Sequence, residues 1–478
     1  MNSPRRPAMV AVAVALLCLA APAWPAAAPS EAAQSGNRPP GVPPPVDPAA
    51  LPTPAGVNTM PYVVNNAATR QTGPVEQQAP CQQQVTSSEQ DLQAEPAAQQ
   101  LLRIRRAQEF ATGRGQLVAV IDSGVQPHPR LLGRLTDGGD YIENRSGLFD
   151  CDGHGTVVAG LIAAAPDAAT GFVGVAPAAQ ILSIRQASTF YSVPLRRLDT
   201  GQEIDSSSAG DTVSMAQAVM RAVQLGATVI NISEAACFQA KTDQDKAPDL
   251  QAAVHYAVEH DVVVVVAAAN TSPTCKQNSP GAVTTISSPG WFDDDVLTVA
   301  ATDDSGEPAY FSLHGPWVDV AAPGIDAVSL AAGRPGLTGE LVDAHGMAHA
   351  LDGTSFATPY VSGLAALVRE RFKNLTARQV MHRIERTARH TAGRSERSEE
   401  TGYGMIDPVA ALTAVLPEER VAQTQPVLPT RLDGLSPPAP EDTLPRTVAL
   451  AGSAAALGVL GLTMVVVQTI KRQRQRPG

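Results

Sequence analysis

Three polar residues of this sequence stand where a buried segment meets a glycine-containing turn. Asp122 lies in V-A-V-I-D-S-G, His154 in D-G-H-G-T-V-V-A-G, and Ser355 in D-G-T-S-F-A-T-P. These residue types can make a nucleophile, because the histidine takes a proton from the serine hydroxyl while the aspartate orients the imidazole and stabilises its cation. The three segments therefore predict attack of Ser355 on a carbonyl group.

This chemistry also needs donors for the oxygen that becomes negatively charged. Ser355 opens a helix predicted over 355–371, whose first turn has free N–H groups and a positive dipole end. Asn270 follows a strand predicted over 262–268, and a loop there could direct its amide to the same oxygen. We therefore predict an oxyanion hole formed by Asn270 and Ser355.

Each of these signals is modest when it is taken alone. An aspartate after a strand is more often a turn or cap residue, a histidine between glycines is more often in a loop, and G-T-S is a common helix start. The specificity lies in the combination of Asp122, His154 and Ser355 in this order.

Short apolar runs alternate with helix-like segments in the middle of the chain. Segment 211–225 has an apolar face and a residue suited to cap its start, and 249–260 is a second such segment. Apolar runs without alternation are typical of strands buried on both faces. We predict a three-layer α/β fold, in which helices flank a mostly parallel sheet. The predicted strands lie at 117–121, 181–184, 228–232, 262–268 and 296–301.

Both ends of the chain carry targeting signals. Residues 1–28 combine two arginines, an apolar run and small residues, which is the pattern of a secretory signal peptide. Residues 447–470 carry no charge and can span a bilayer, which favours a membrane helix over a buried core helix. The basic tail 471–478 should stay in the cytoplasm. We therefore predict a single-pass type I protein of the cell membrane, with its large domain extracytoplasmic.

Composition limits the partners of the exported part. Of 478 residues, 44% are hydrophobic and 17% charged, which excludes a fully disordered chain. The chain has 35 basic and 46 acidic residues and a formal net charge of −11, so nucleic acid is excluded as a partner.

Changes in composition divide the chain into six segments. Residues 29–98 are rich in Pro, Ala and Gln and lack a period, which predicts an extended arm with little core of its own. Proline returns in 417–446, which predicts a semi-extended linker. The predicted segments are 1–28 (signal peptide), 29–98 (arm), 99–416 (catalytic domain), 417–446 (linker), 447–470 (membrane helix) and 471–478 (cytoplasmic tail).

The chain has five cysteines, and Cys18 lies in the predicted signal peptide. An even number remains, which suggests two disulfides in an exported domain. Four cysteines allow three pairings, and their positions leave all three open. A metal site is not favoured, because no C-x-x-C spacing occurs. The remaining four are Cys81, Cys151, Cys237 and Cys275.

No cofactor or metal is predicted for the reaction. His345 and His349 are four residues apart, but the sequence around them indicates a loop and no acidic partner follows. Residues 293–295 are three aspartates that could bind structural calcium, although adjacent carboxylates are more often a solvated turn.

The catalytic segments resemble the signatures of subtilisin-like serine peptidases, peptidase family S8. The similarity covers about residues 99–415 and is strong in G-T-S-F-A-T-P-Y-V-S-G-L-A-A-L. It implies a subtilisin-like fold and serine endopeptidase activity, with the same roles for the triad and Asn270. It also implies that Ser233, Glu234 and Ala235 bind the substrate, although subtilisins usually have a glycine near Ala235.

The order of the segments is similar to that of the mycosins, the membrane-anchored peptidases of actinobacterial type VII secretion systems. S-I-R-Q and D-C-D-G-H are also similar to mycosin segments. This resemblance implies that the arm wraps the catalytic domain instead of acting as a removable propeptide. It further implies the disulfides Cys81–Cys151 and Cys237–Cys275.

The mycosin resemblance implies two roles of different classes. The first is an endopeptidase that cleaves secreted proteins or components of the secretion machinery. The second is mainly a structural subunit that stabilises the type VII secretion membrane complex, with catalysis secondary. Both roles give the chain the secretion complex and the membrane as partners, and the first adds a protein or peptide substrate.

Overall fold

The computed structural model describes residues 39–52, 69–71, 75–81, 93–197, 203–243, 246–390 and 397–421. The chain divides into two units, one up to Glu419 and a second from Arg420 to its end, and the sheets lie in the first unit. The predicted signal peptide, membrane helix and tail lie outside the described residues. Within the described ranges, no helix is both long and apolar enough to cross a membrane.

The strands and helices alternate along the middle of the chain. The strands are β1 (Thr69–Gln71), β2 (Glu76–Gln77), β3 (Leu117–Asp122), β4 (Leu135–Asp140), β5 (Gln180–Arg185), β6 (Ser188–Arg197), β7 (Glu203–Ala209), β8 (Val229–Ile232), β9 (Ala236–Gln239), β10 (Val263–Ala267), β11 (Thr285–Ser288), β12 (Leu297–Thr302), β13 (Val320–Pro323), β14 (Ser329–Leu330), β15 (Leu337–Thr338), β16 (Glu340–Val342) and β17 (Ala348–Ala350). The α-helices are α1 (Ala97–Leu102), α2 (Ile104–Ala107), α3 (His154–Ala163), α4 (Thr212–Gln224), α5 (Pro248–Glu259), α6 (Thr354–Arg371), α7 (Ala377–Thr387), α8 (Pro408–Thr413) and α9 (Pro417–Val421).

The main sheet has seven strands in the order β13-β12-β10-β8-β3-β5-β4, and each neighbouring pair is parallel. The predicted strands correspond to β3, β5, β8, β10 and β12. These strands are almost continuously apolar because helices cover both faces. Helices α3 and α6 pack together on one face, while α4 and α5 pack together on the other. The predicted three-layer α/β fold is confirmed.

The direction of strand addition reverses beside β3. Strands β4 and β5, which come next in the chain, lie on one side of β3, with β5 beside it. The later strands β8, β10, β12 and β13 lie on the other side. Parallel sheets bind ligands in the crevice outside the carboxyl ends of their strands at such a reversal. Asp122 ends β3, and Glu234 and Asn270 closely follow β8 and β10, so three predicted site residues lie at this edge.

A second sheet joins the arm to the catalytic domain. Strand β6 pairs antiparallel with β7 along one edge, and the arm strands β1 and β2 pair with its other edge. The disulfide Cys81–Cys151 follows β2, with Cα atoms 4.8 Å apart. The second disulfide, Cys237–Cys275, has its Cα atoms 5.4 Å apart. These are the two pairs that the mycosin resemblance implies.

The first described arm segment also packs on the catalytic domain. The carbonyl oxygen of Pro44 accepts a hydrogen bond of 2.6 Å from the side chain of Gln251 in α5. A 3₁₀ turn at Pro48–Ala50 follows and contacts the same helix. The described parts of the arm therefore pack against the catalytic domain. This packing fits an arm that wraps the domain.

Candidate active site

Asp122 is the last residue of β3 and is completely buried. Its Oδ1 lies 2.7 Å from Nδ1 of His154 and accepts a second hydrogen bond of 2.7 Å from the N–H of Ser123. A carboxylate held in this way fixes the imidazole in one orientation and leaves Nε2 for the nucleophile. The structure thus brings Asp122 and the predicted base His154 together.

His154 is the first residue of α3. Gly153 precedes it with φ 80°, in the left-handed region that favours glycine. Gly155 follows it, and a Cβ there would lie 2.0 Å from the carbonyl oxygen of Gly124, so only glycine fits. The imidazole is 19% exposed, and its ring centroid lies 5.2 Å from that of Phe356, the residue after the nucleophile. The base therefore faces the start of α6.

A buried carboxylate that the sequence interpretation missed supports this turn. Oδ1 of Asp150 accepts hydrogen bonds from the hydroxyl of Ser123 (2.9 Å) and from the N–H of Gly153 (2.8 Å). Its Oδ2 accepts two more from Thr156. Burial raises the pKa of Asp150 to about 6. The D-C-D-G-H sequence was visible, but it did not indicate which aspartate is turned inward.

Ser355 lies in the first turn of α6 and is half-buried. The hydroxyl of Ser233 donates a 2.9 Å hydrogen bond to the carbonyl oxygen of Ser355, and Asn231 donates one to that hydroxyl. These bonds tie the nucleophile to the end of β8. The side chain of Ser233 is only 5% exposed, and its hydroxyl bonds to Asn231 and Ser355. It therefore holds the protein in place.

Asn270 is exposed and lies three residues beyond the end of β10. Its Oδ1 accepts two hydrogen bonds from Thr354, so its Nδ2 is the donor that remains. A Cβ on Gly353 would lie 2.9 Å from Oγ of Ser355 and 3.2 Å from Nδ2 of Asn270. The nucleophile and the amide donor thus border the same small space, as an oxyanion hole requires.

A second carboxylate, that of Glu234, stands beside the base. A carboxylate oxygen of Asp122, a ring nitrogen of His154 and a carboxylate oxygen of Glu234 all lie within 4.8 Å of one another. Burial would lower the pKa of the His154 imidazole, but the charges of Asp122, Glu234 and Asp150 outweigh it and raise that pKa. Burial in turn raises the pKa of the Glu234 carboxyl above its ordinary range.

A cavity of about 330 Å³ adjoins His154. Glu234 and Ala235 line it, whereas the buried side chain of Ser233 does not. Among the described residues of the arm, none lines this cavity. The resemblance implied substrate contacts for all three residues, and the cavity gives Glu234 and Ala235 a surface for such contacts.

The weaker metal candidates have other contacts. His349 lies in β17 and pairs with Asp343 at 2.9 Å, while His345 lies in the turn before it. In the aspartate run, Asp293 pairs with Arg397 at 2.9 Å and Asp295 with Arg378 at 2.7 Å. Calcium binding, the less favoured interpretation of these aspartates, would have to displace these guanidinium groups, and it stays untested.

These residues form the arrangement of a serine hydrolase. A buried carboxylate orients a histidine, a serine stands at a helix start, and an amide donor borders the space in front of the serine. On a parallel sheet in the order Asp, His, Ser along the chain, the fold and the site together define a subtilisin-like peptidase.

Comparison with known proteins agrees with this class. Residues 113–404 match the subtilase family. Mycosin-3 of Mycobacterium tuberculosis is 41% identical over 441 residues, which cover 87% of this chain and 94% of that protein. The solved structure of MycP3 protease from the type VII (ESX-3) secretion system has a TM-score of 0.67 at 40% identity, over 78% of this chain and all of that one. A chain of the periplasmic assembly from the ESX-5 inner membrane complex has a TM-score of 0.69 at 36% identity, over 83% of this chain and 99% of that one.

The chain therefore belongs to the subtilase family, in its mycosin branch, and is a subtilisin-like serine endopeptidase.

Proposed function

We propose that Ser355, His154 and Asp122 hydrolyse peptide bonds of secreted proteins or of secretion-machinery components. Ser355 attacks the carbonyl carbon while His154 accepts the hydroxyl proton, and Asp122 stabilises the imidazolium. His154 then returns the proton to the leaving amine, and a water molecule releases the acyl group by the same steps. The observation that carries this proposal is the 2.7 Å contact between Asp122 and His154 beside the cavity.

The oxyanion of the tetrahedral intermediate would receive two hydrogen bonds. One comes from Nδ2 of Asn270, and the other comes from the N–H of Ser355, which has no acceptor within its own helix. Both donors are fixed before the substrate binds. Thr354 holds the amide of Asn270, and the N–H of Ser355 belongs to the first turn of α6. A preorganised pair of donors stabilises charge without further reorganisation.

The place of action that we propose is the outer face of the cytoplasmic membrane. Residues 447–470 would anchor the chain and 471–478 would remain in the cytoplasm. Two disulfides fit an oxidising compartment outside the cytoplasm. A type VII secretion membrane complex is the proposed partner, because a similar chain belongs to the periplasmic assembly of the ESX-5 inner membrane complex.

A fluorophosphonate probe tests the catalytic proposal on the full-length chain in its own membranes. The parent should react with the probe and Ser355→Ala should not. Ser279→Ala is a control, because Ser279 is an exposed serine that takes no part in the hydrogen bonds described at the site. Labelling of Ser355→Ala, or a folded parent that does not react, would contradict the proposal.

The second candidate role is a structural subunit of the secretion complex. The observation that favours it is the same similarity to a chain of the ESX-5 periplasmic assembly. Secretion that persists with Ser355→Ala but stops when the whole chain is deleted would favour this role. Secretion that stops in both cases would favour the peptidase role.

A further inference from the structure

We propose that Glu234 selects substrates that carry an arginine or lysine side chain near the scissile bond. Its carboxylate would pair with that cation inside the cavity beside His154. The inference rests on the proposed function, since it names a substrate class for the same peptidase site.

The cavity is acidic. Four carboxylates line it and no lysine or arginine does, as far as the described residues go. The two histidines that line it are His154, which is the base, and His349, which pairs with Asp343 at 2.9 Å. A charged group that enters the cavity therefore meets net negative charge, which favours a cation.

Three of the four carboxylates already have partners. Asp152 accepts hydrogen bonds from the first two residues of β6. Asp211 caps the start of α4. Asp343 accepts bonds from its own turn and pairs with His349. Their charges are thus used to hold the walls of the cavity in place.

Glu234 differs from the other three. It is half-buried, and within the described part of the chain no donor forms a hydrogen bond with its carboxylate. Burial disfavours the charged form and outweighs the attraction of His154, which is why the pKa of Glu234 is raised. A guanidinium or ammonium group of the substrate would supply the missing hydrogen-bond donors and a further positive charge.

The rest of the cavity suits the stem of such a side chain. Phe190, Met215, Leu341 and Val342 contribute apolar walls, and long basic side chains pack their methylene groups on such surfaces. Neither Ser355 nor Asn270 is among the lining residues. The substrate residue that carries the cation is therefore near the scissile bond. It is not the residue whose carbonyl group is attacked.

Peptide pairs that differ only in charge test this inference on the purified full-length protein. Internally quenched peptides would carry arginine, or its uncharged analogue citrulline, at each position around one cleavable bond. At one position kcat/KM should be about tenfold or more higher for arginine, as expected for a charge-assisted hydrogen bond. Glu234→Gln should bring the arginine-to-citrulline ratio close to one. Glu234→Asp, which keeps the charge, should retain part of it.

Glu340→Gln is the matched control, because Glu340 is an exposed glutamate outside the cavity lining and should leave the ratio unchanged. The ratio is taken within one protein, so a smaller active fraction in a variant cancels. Equal hydrolysis of both peptides at every position by the parent would overturn the inference while leaving the peptidase assignment intact. So would a ratio that survives in Glu234→Gln. No hydrolysis of any peptide by the parent would overturn the proposed function and this inference with it.

Discussion

The side-chain oxygen of Asn270 accepts two hydrogen bonds from Thr354, one from the N–H and one from the hydroxyl, both at 3.0 Å. Thr354 begins α6 and directly precedes the nucleophile. The bonds fix the rotation of the amide, so Nδ2 faces the space where charge develops. The donor and the nucleophile are therefore held together through one residue.

This relationship predicts the effect of Asn270→Ala. We expect kcat to fall by about 10²–10³, a magnitude known for the corresponding asparagine of subtilisin and carried over from it. KM should change little, because the amide acts on charge that exists only in the transition state. Asn374→Ala, an exposed asparagine after α6, is the control. An unchanged kcat in a folded Asn270→Ala variant would remove Asn270 from the oxyanion hole.

The substitution Gly353→Ala should leave the fold intact but impair catalysis. Its φ is 165°, which is extended backbone that any residue adopts. The added Cβ would lie 2.9 Å from Oγ of Ser355 and would fill the space in front of the nucleophile. We expect Gly353→Ala to lower kcat/KM by roughly 10² with little change in melting temperature. Calorimetry and peptide hydrolysis separate the two effects, and a large loss of stability would contradict this prediction.

The pH profile should depend on Glu234. His154 must be neutral to accept the proton of Ser355, so the rate rises with pH through the pKa of His154. That pKa is raised by Asp122, Glu234 and Asp150. Removal of one negative charge in Glu234→Gln should therefore lower it, and the rising part of the kcat/KM profile should move to lower pH.

The measurement is kcat/KM on an uncharged peptide across the pH range in which the fold is stable. Glu340→Gln, which removes an equal but exposed charge, should leave the profile nearly unchanged because solvent screens that charge. A profile that stays in place in Glu234→Gln, or moves to higher pH, would mean that Glu234 does not act on His154.

The three candidate triad residues could be picked out from sequence because each lies in a local signature. Asp122 ends an apolar strand, His154 stands between glycines that a positive φ and close packing require, and Ser355 lies in the first turn of a helix. These are properties of a few consecutive residues. Local patterns also predicted the main strands and a capping residue at the start of α4.

The position of Glu234 beside His154 could not be predicted in this way. It arises because Ile121 pairs with Ile232 across β3 and β8, so the residues that follow these strands emerge at the same edge. No local pattern encodes a pairing between segments so far apart in the chain. The same holds for the arm strands β1 and β2, whose partners in β6 lie more than a hundred residues away.

The disulfide Cys81–Cys151 should hold the arm on the catalytic domain. The bond spans 70 residues, and chain entropy limits its contribution to about 4 kcal/mol. Without it, the segment around β2 would be held by the pairing of two residues, one backbone hydrogen bond of Gln78 and the packing of Val75 and Ala79. We expect the double variant Cys81→Ser/Cys151→Ser to unfold at lower denaturant concentration and its arm to detach locally.

Trypsin cleavage after Arg70, in the arm, reports this detachment. The experiment is done in the Ser355→Ala background, so that self-cleavage does not contribute. Cys237→Ser/Cys275→Ser is the matched control, because that bond lies within the catalytic domain and spans 38 residues. It should lower the stability of the domain while cleavage after Arg70 stays slow until the domain unfolds. Equally slow cleavage in both double variants would mean that the strand pairing holds the arm without the disulfide.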